Sequence, residues 1–291
     1  MNHLRFGHTA ITWPNEAIEE AVSDIAACGY WGTETFGWVL EEWESQNRSL
    51  LALFEQHQLQ LTSLYCHLEL TDSSKRQDAI DKVMEWVDLY LKFQGPVVVI
   101  GGTMLNRASF AISDHASAII LTLNELAKRI TDKGLLCCFH PHTGTAVETE
   151  EEIRRVLEGV DSRYVTFAPD VGQIAKGGTD PVRIIQEYYE LIRMLHLKDY
   201  IGGPVKEDAE GRQVDATGFL GYTPLGMGSV DLRSIVQYLE DKKYPHYASV
   251  ELDGNQWSPT RKGNPLMSAP EAIRTSKQYL ERLGYRNFKI T

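Results

Sequence analysis

Residues 135–170 read LLCCFHPHTGTAVETEEEIRRVLEGVDSRYVTFAPD. The apolar run Leu135–His140 predicts a buried strand, and Thr149 with Glu152 forms a capping box that opens a helix. The run Tyr164–Pro169 predicts a second strand, ending on Asp170. A strand, a capped helix and a strand in direct succession make one parallel crossover unit.

The same alternation extends in both directions. Further strands are predicted at Leu4–Thr9, Gly32–Phe36, Leu61–Cys66, Val97–Ile100, Ile192–Leu197 and Tyr247–Leu252, eight in all with the first pair. Helical period appears between them in Ile80, Val83, Met84, Val87 and Leu91, in Ile119, Leu123, Leu126 and Ile130, and in Leu232, Ile235, Val236 and Leu239. Asn15 is expected to cap the first helix and Gly29 to end it, Asp180-Pro181 reads as a cap with its first-turn proline, and Ser268 precedes the last helix. Eight such pairs predict an α/β fold, a (β/α)8 TIM barrel, as a single domain over residues 1–291. The turn Ala10-Ile11-Thr12-Trp13-Pro14 carries no glycine, which argues against a dinucleotide-binding open sheet.

Charge and composition narrow the function. The 291 residues carry 29 basic and 40 acidic side chains, a net charge of −11, with 43% hydrophobic residues. That balance is expected of a soluble protein without a nucleic-acid or anionic-membrane partner. No apolar run approaches the roughly 18 residues that span a bilayer, and the start leads into Phe6-Gly7-His8 without a leader-like stretch, so a cytoplasmic location is expected. Cys28, Cys66, Cys137 and Cys138 form no paired pattern and are expected to be reduced. Residues 200–228 hold seven glycines and two prolines without apolar period, a long insertion expected to act as a lid over the barrel mouth rather than as a surface decoration. A second loop, Asp253–Asn264, carries Trp257 and Arg261.

In such a barrel the reactive groups project from the C-terminal strand ends. Those ends are polar here: Glu34, His67 with Glu69, His140-Pro141-His142, Asp170, His196-Leu197-Lys198-Asp199, and Glu251 with Asp253. Four of the nine histidines fall at these ends. Imidazole and carboxylate converging from several strands suit a divalent metal, and Asp170, His196 and Glu251, with His140 as the fourth, are the expected ligands. Each residue also has a structural reading, Asp170 as a helix cap and the histidines as hydrogen-bonded strand ends. His142, His67, Lys198 and Glu34 are the candidates for proton transfer, with the two histidines favoured because imidazole titrates near working pH. Lys198 is alternatively a partner for a substrate hydroxyl or an enolate. Trp13, Trp38 and Trp257 are candidates for an apolar wall against a ring, and Asp199 and Gln173 for polar contacts to substrate. Glu41, Glu42 and Glu44 around Trp43 read as a solvated helix edge.

The segments 29–34 (GYWGTE), 139–145 (FHPHTGT) with Glu148-Thr149, 169–173 (PDVGQ), 196–199 (HLKD), 224–231 (PLGMGSVD) and 250–253 (VELD) resemble the xylose-isomerase-like TIM-barrel superfamily of sugar isomerases and epimerases. Within it they are most similar to the inosose (2-keto-myo-inositol) dehydratases. The resemblance runs from the first strand to the last helix. It implies one divalent metal ion, Mn²⁺ or Co²⁺ first and Zn²⁺, Fe²⁺ or Mg²⁺ next, and a small-molecule polyol or keto-sugar partner. Asp170, His196 and Glu251 match ligand positions of the superfamily. His140 stands where many of its isomerases place a glutamate, and Gln173 where histidine is frequent; both departures point away from an epimerase.

The reading that follows is a lyase that forms an enolate and eliminates a β-hydroxyl from a keto-cyclitol, with β-elimination from a 3-keto-glycoside as close chemical kin. A ketose isomerase or epimerase using the same site is the main alternative. A metal-dependent abasic-site nuclease, which shares the superfamily shape, calls for a basic groove that the acidic balance opposes. A sugar-binding protein without turnover is the last alternative. Nothing in the sequence identifies an interface for a homo-oligomer.

Overall fold

The computed structural model describes residues 3–202, 221–254, 267–286 and 288. Ten strands occur among them: β1 (Arg5–Thr9), β2 (Gly32–Phe36), β3 (Gln60–Leu68), β4 (Val97–Gly102), β5 (Leu136–His140), β6 (Val165–Phe167), β7 (Met194–Leu197), β8 (Asp199–Tyr200), β9 (Tyr222–Thr223) and β10 (Tyr247–Val250). Eight of them hydrogen-bond in the order β6-β5-β4-β3-β2-β1-β10-β7. Phe167 also bridges Ile192 in parallel, just ahead of β7. This is the strand arrangement of the (β/α)8 barrel class. The remaining pair, β8 and β9, forms a small antiparallel ribbon.

The chain divides into two compact units, residues 1–34, 52–60 and 196–291, and residues 35–51 and 61–195. In the first, β1 pairs in parallel with β10 from Arg5↔Tyr247 to His8↔Val250, and with β2 at His8↔Thr33 and Thr9↔Glu34. The helix Leu232–Asp241 buries Leu232, Ile235, Val236 and Leu239, the stripe that its sequence period predicts. In the second, β3, β4, β5 and β6 pair in parallel in chain order. The helix Ile112–Asp132 buries Ile119, Leu123, Leu126 and Ile130. Each such side chain contributes about 1.5–3 kcal/mol by leaving water.

Local signals were accurate where a side chain has a backbone partner to find. Thr149 and Glu152 form the full capping box of the helix Glu150–Gly159, Asp180 caps the helix Pro181–Glu187 with proline in its first turn, and Gly29 ends the helix Ile18–Cys28 at φ 86°. Asn15 departs from expectation. It lies inside a 3-10 turn, Asn15–Ala17, and makes no capping bond to the helix that begins at Ile18. Ser268 stands at the cap position of Ala269–Arg282 without a side-chain bond, the proline at the helix start having removed one N–H that a cap would serve. Leu91 lies past the helix Arg76–Tyr90 and is exposed, so its apolar period overran the element. Among the described residues no helix is long and apolar enough to cross a membrane. The expected lid lies largely in residues 203–220, outside the described residues, as do Trp257 and Arg261.

Candidate functional site

In the first unit the polar strand ends converge on one buried cluster. The register that sets Thr9 beside Glu34 carries the Glu34 side chain to His196, with Oε1 and Nε2 3.0 Å apart. The other ring nitrogen, Nδ1, lies 3.2 Å from Glu251 Oε2. Glu251 follows β10, and its N–H donates to the carbonyl of Leu197 at 2.9 Å. Its second oxygen, Oε1, accepts from Lys198 Nζ at 2.7 Å, and Lys198 donates also to Asp253 Oδ1 at 3.0 Å. The ammonium sits 4.2 Å from the centre of the Tyr222 ring. All of these polar side chains are buried, Lys198 and His196 completely.

Two features of this donor set fit a divalent cation. A neutral imidazole carries one N–H, yet both ring nitrogens of His196 face carboxylate oxygens, so one pairing sets acceptor against acceptor unless a cation or a second proton intervenes. Two carboxylates, Glu251 and Asp253, also share the Lys198 ammonium, and buried carboxylate needs compensating positive charge. One ligand atom from each of Glu34, His196 and Glu251 lies within 4.8 Å of the others. Glu34 thus stands with the ligand-like group, whereas the strand-end reading had set it among the proton-transfer candidates.

Asp199 points away from this cluster. Its Oδ1 accepts from the N–H of Tyr200 (3.0 Å) and Val230 (3.1 Å), and its Oδ2 from Gly226 and Gly228 (2.9 Å each). Burial pushes the carboxyl up from its ordinary pKa, against these four bonds. The carboxylate is committed to the loop 224–231.

In the second unit His140 ends β5 as a buried ring, edge-on to Tyr65 with centroids 5.5 Å apart and 5.9 Å from the ring of His142. Asp170 caps the helix Val171–Lys176, its Oδ1 accepting from Gly172 N (2.8 Å) and Gln173 N (3.0 Å). His142 and Gln173 bond to each other, Nε2 to Nε2, at 2.7 Å. His67 lies at the end of β3 with an exposed edge, its ring 4.8 Å from Trp38, which stacks on Phe36. Partial burial lowers the His67 pKa from the ordinary imidazole value. Glu69, its near neighbour, is taken up by Thr71 and Thr103.

Trp13 is buried with its ring 6.1 Å from His8. His8 is itself enclosed: Nδ1 bonds the Thr9 carbonyl at 2.8 Å, Nε2 has no partner, and burial lowers its pKa to about 4 against the pull of Glu251. Glu41 and Glu44 pair with Lys82 and Lys92 as a helix edge should, but Trp43 between them is buried. The residues that sequence reasoning missed are Asp253 and Tyr222 as partners of Lys198 and Thr9 beside Glu34. Asp253 was read as a polar strand end without its partner, and Thr9, also a polar strand end, was detectable in the same way; Tyr222 carries no local signal.

The family model for the xylose isomerase-like TIM barrel matches residues 22–283. A curated relative, the inosose dehydratase of Geobacillus kaustophilus, is 27% identical, with 97% of this chain and 96% of that protein covered. Among solved structures, the probable 3-DHS dehydratase AsbF of Bacillus anthracis is similar at a TM-score of 0.73 and 17% identity, covering 96% of this chain and 99% of that one. The IOLI protein with a bound zinc atom is similar at a TM-score of 0.74 and 18% identity, covering 99% and 100%. At these identities the two structures bear on the fold.

Proposed function

We propose, from the premise that the chain belongs to the xylose isomerase-like TIM barrel family, that it is a cytoplasmic, metal-dependent lyase that removes water from a keto-cyclitol, with inosose as the first substrate to test. The names of its curated relatives support the reaction class. The observation that carries the reading is the buried group of Glu34, His196 and Glu251 backed by Lys198. Asp170 and His140 are proposed as further ligands on the strength of their motif positions, and Mn²⁺ or Co²⁺ as the ion, since the donors are oxygen and imidazole nitrogen without thiolate.

A bound divalent cation supplies Lewis-acid stabilisation of the negative charge on the substrate oxygen. The protein does the rest. Glu34 and Glu251 hold His196 from its two sides, and Lys198 fixes the orientation of Glu251 while offsetting part of the carboxylate charge. A histidine, His67 or His142, takes the α-proton of the ketone, and the C–H electron pair becomes the enolate. The enolate pair then forms the new double bond as the β-carbon–oxygen bond breaks. A proton delivered to that hydroxyl lets it leave as water, since hydroxide leaves poorly at neutral pH.

The test is a near-ultraviolet assay with 2-keto-myo-inositol on chelator-stripped protein resupplied with Mn²⁺ or Co²⁺. The expected result is an absorbance rise from the conjugated product that depends on the metal. Metal binding without any rise refutes the dehydratase reading and favours keto-glycoside elimination or ketose epimerisation.

A further inference from the structure

Thr9 ends β1 with a hydroxyl that the fold does not pair. The side chain is buried, and Oγ1 has no hydrogen-bond partner among the described residues. The threonine hydroxyls nearby are satisfied: Thr12 donates to the carbonyl of Leu252 at 2.7 Å, and Thr33 to that of Glu34 at 3.3 Å. The Thr9 carbonyl has a partner as well, Nδ1 of His8 at 2.8 Å. A hydroxyl taken out of water without a replacement bond destabilises the folded chain, so Thr9 carries a polar atom that folding alone does not use.

The direction of that atom follows from the ladder. Alternate side chains of a strand face opposite sides. Phe6 and His8 face the helical layer, Phe6 edge-on to Tyr285 and His8 edge-on to Tyr30, whose hydroxyl donates to Ile273 in the last helix. Gly7 and Thr9 therefore face the inner side of the sheet. Thr9 pairs in register with Glu34, and the ladder between β1 and β10, which runs to His8↔Val250, meets Glu251 at its next position. Thr9 thus lies on the strand between the two carboxylates that hold His196. Ser249, also buried and without a partner at Oγ, lies deeper, opposite Gly7.

The chemistry of this position is complementary to its neighbours. Ionised carboxylates only accept hydrogen bonds, whereas a hydroxyl both donates and accepts. Lys198 directs its ammonium to Glu251 and Asp253. A ligand hydroxyl arriving here can donate to a carboxylate and accept from Thr9, which satisfies both of its roles. We infer that Thr9 Oγ1 is a substrate contact that recognises one hydroxyl of a polyol or keto-cyclitol bound at Glu34, His196 and Glu251, and so sets which ring carbon must carry an oxygen. The inference deepens the elimination reading and rests on it for the class of ligand.

The experiment uses the full chain loaded with Mn²⁺, with myo-inositol as a polyol that has no ketone and cannot react. Thr9→Val removes the hydroxyl and keeps the shape; Thr9→Ser keeps the hydroxyl. In isothermal titration Thr9→Val is expected to bind myo-inositol about 10–100-fold more weakly than the parent, the effect of leaving a ligand hydroxyl without its buried partner, while Thr9→Ser and Ser249→Ala bind as the parent does. Across the monodeoxy-myo-inositols the expected signature is one analogue that the parent and Thr9→Val bind equally. Equal affinity of the parent and Thr9→Val for myo-inositol, an equal loss in Ser249→Ala, or a uniform loss over all analogues overturns the assignment. Two further readouts separate contact from support. The urea midpoint of Thr9→Val should be no lower than the parent's, and its Mn²⁺ affinity should be unchanged; a fall in either makes Thr9 a prop for the fold or for Glu34 and overturns the contact. A parent protein that binds myo-inositol but leaves 2-keto-myo-inositol unreacted counts against the elimination reading alone, and the analogue series still decides Thr9. A parent that binds neither polyol overturns both.

Discussion

Lys198→Met removes a buried ammonium from the carboxylate cluster while keeping a side chain of similar length. The ammonium is completely buried and donates to Glu251 at 2.7 Å and to Asp253 at 3.0 Å. Removing one partner of a buried ion pair costs about 3–5 kcal/mol, because the charge left behind has lost both water and its counterion. Methionine fills most of the volume of the lysine stem, so the cavity contribution is small and the expected loss is that of the charge, about 3–5 kcal/mol. Equilibrium urea unfolding in chelator, followed by circular dichroism, measures it. Glu251→Gln in the same background should recover part of the loss, since the two residues form one interacting pair and their effects are non-additive by about 0.5–3 kcal/mol. A loss below about 1 kcal/mol, or strict additivity of the two substitutions, refutes the assignment of Lys198 as the counterion of Glu251.

The remaining expectations concern the same half of the chain. With His8 depressed to about 4, the unfolded chain binds a proton that the folded chain refuses between pH 6.5 and pH 4; stability is retained above that window and falls through it on acidification, by about 3 kcal/mol at its lower end. His8→Phe lacks this dependence, so the difference between parent and variant in urea midpoints should change by about that amount from pH 7 to pH 4, and a constant difference refutes the burial argument. Gly228→Ala would set a methyl against Asp199 Oδ1 and 2.5 Å from the carbonyl of Tyr200; weakening two or more of the four bonds to Asp199 should cost about 1–3 kcal/mol and open residues 224–231 to limited proteolysis, whereas an unchanged digestion pattern speaks against the latch. Glu34→Gln and Glu251→Gln should each weaken Mn²⁺ binding by at least about tenfold in isothermal titration, and metal affinity equal to the parent's in either removes that residue from the ligand set.

The barrel strands were legible because they are local: a short apolar run bounded by a turn needs no partner to be recognised, and Thr149 with Glu152 or Asp180 with Pro181 declares a helix start within four residues. Boundaries blurred where burial continues past the hydrogen-bonded ladder, as in β6, which is three residues long inside an apolar run of six. Asn15 failed as a cap because the chain inserts a 3-10 turn before the helix, and no residue type announces that turn. The polar strand ends identified Glu34, His196 and Glu251 as site candidates. They did not reveal that Glu34 meets His196, because that contact depends on two residues 162 positions apart. Gln173 and Asp199 were read as substrate contacts for the same reason: their partners, His142 and the N–H groups of 226–230, lie about thirty residues away.

The segment His196-Leu197-Lys198-Asp199 shows how much one extended stretch can organise. Alternate side chains of a strand face opposite sides, so His196 and Lys198 share a face while Asp199 takes the other. On the first face they meet the two oxygens of one carboxylate, His196 Nδ1 at Oε2 and Lys198 Nζ at Oε1 of Glu251. Glu251 is therefore held by a ring on one side and an ammonium on the other, and neither can move without the other. On the opposite face Asp199 gathers three N–H groups of the following loop and one of its own neighbour. A slip of this strand by one residue would turn Asp199 towards Glu251 and Lys198 towards the loop N–H groups, setting carboxylate against carboxylate and donor against donor. The register of the strand, the orientation of the proposed metal ligand and the seating of the loop after it are consequently one property, enforced by charge.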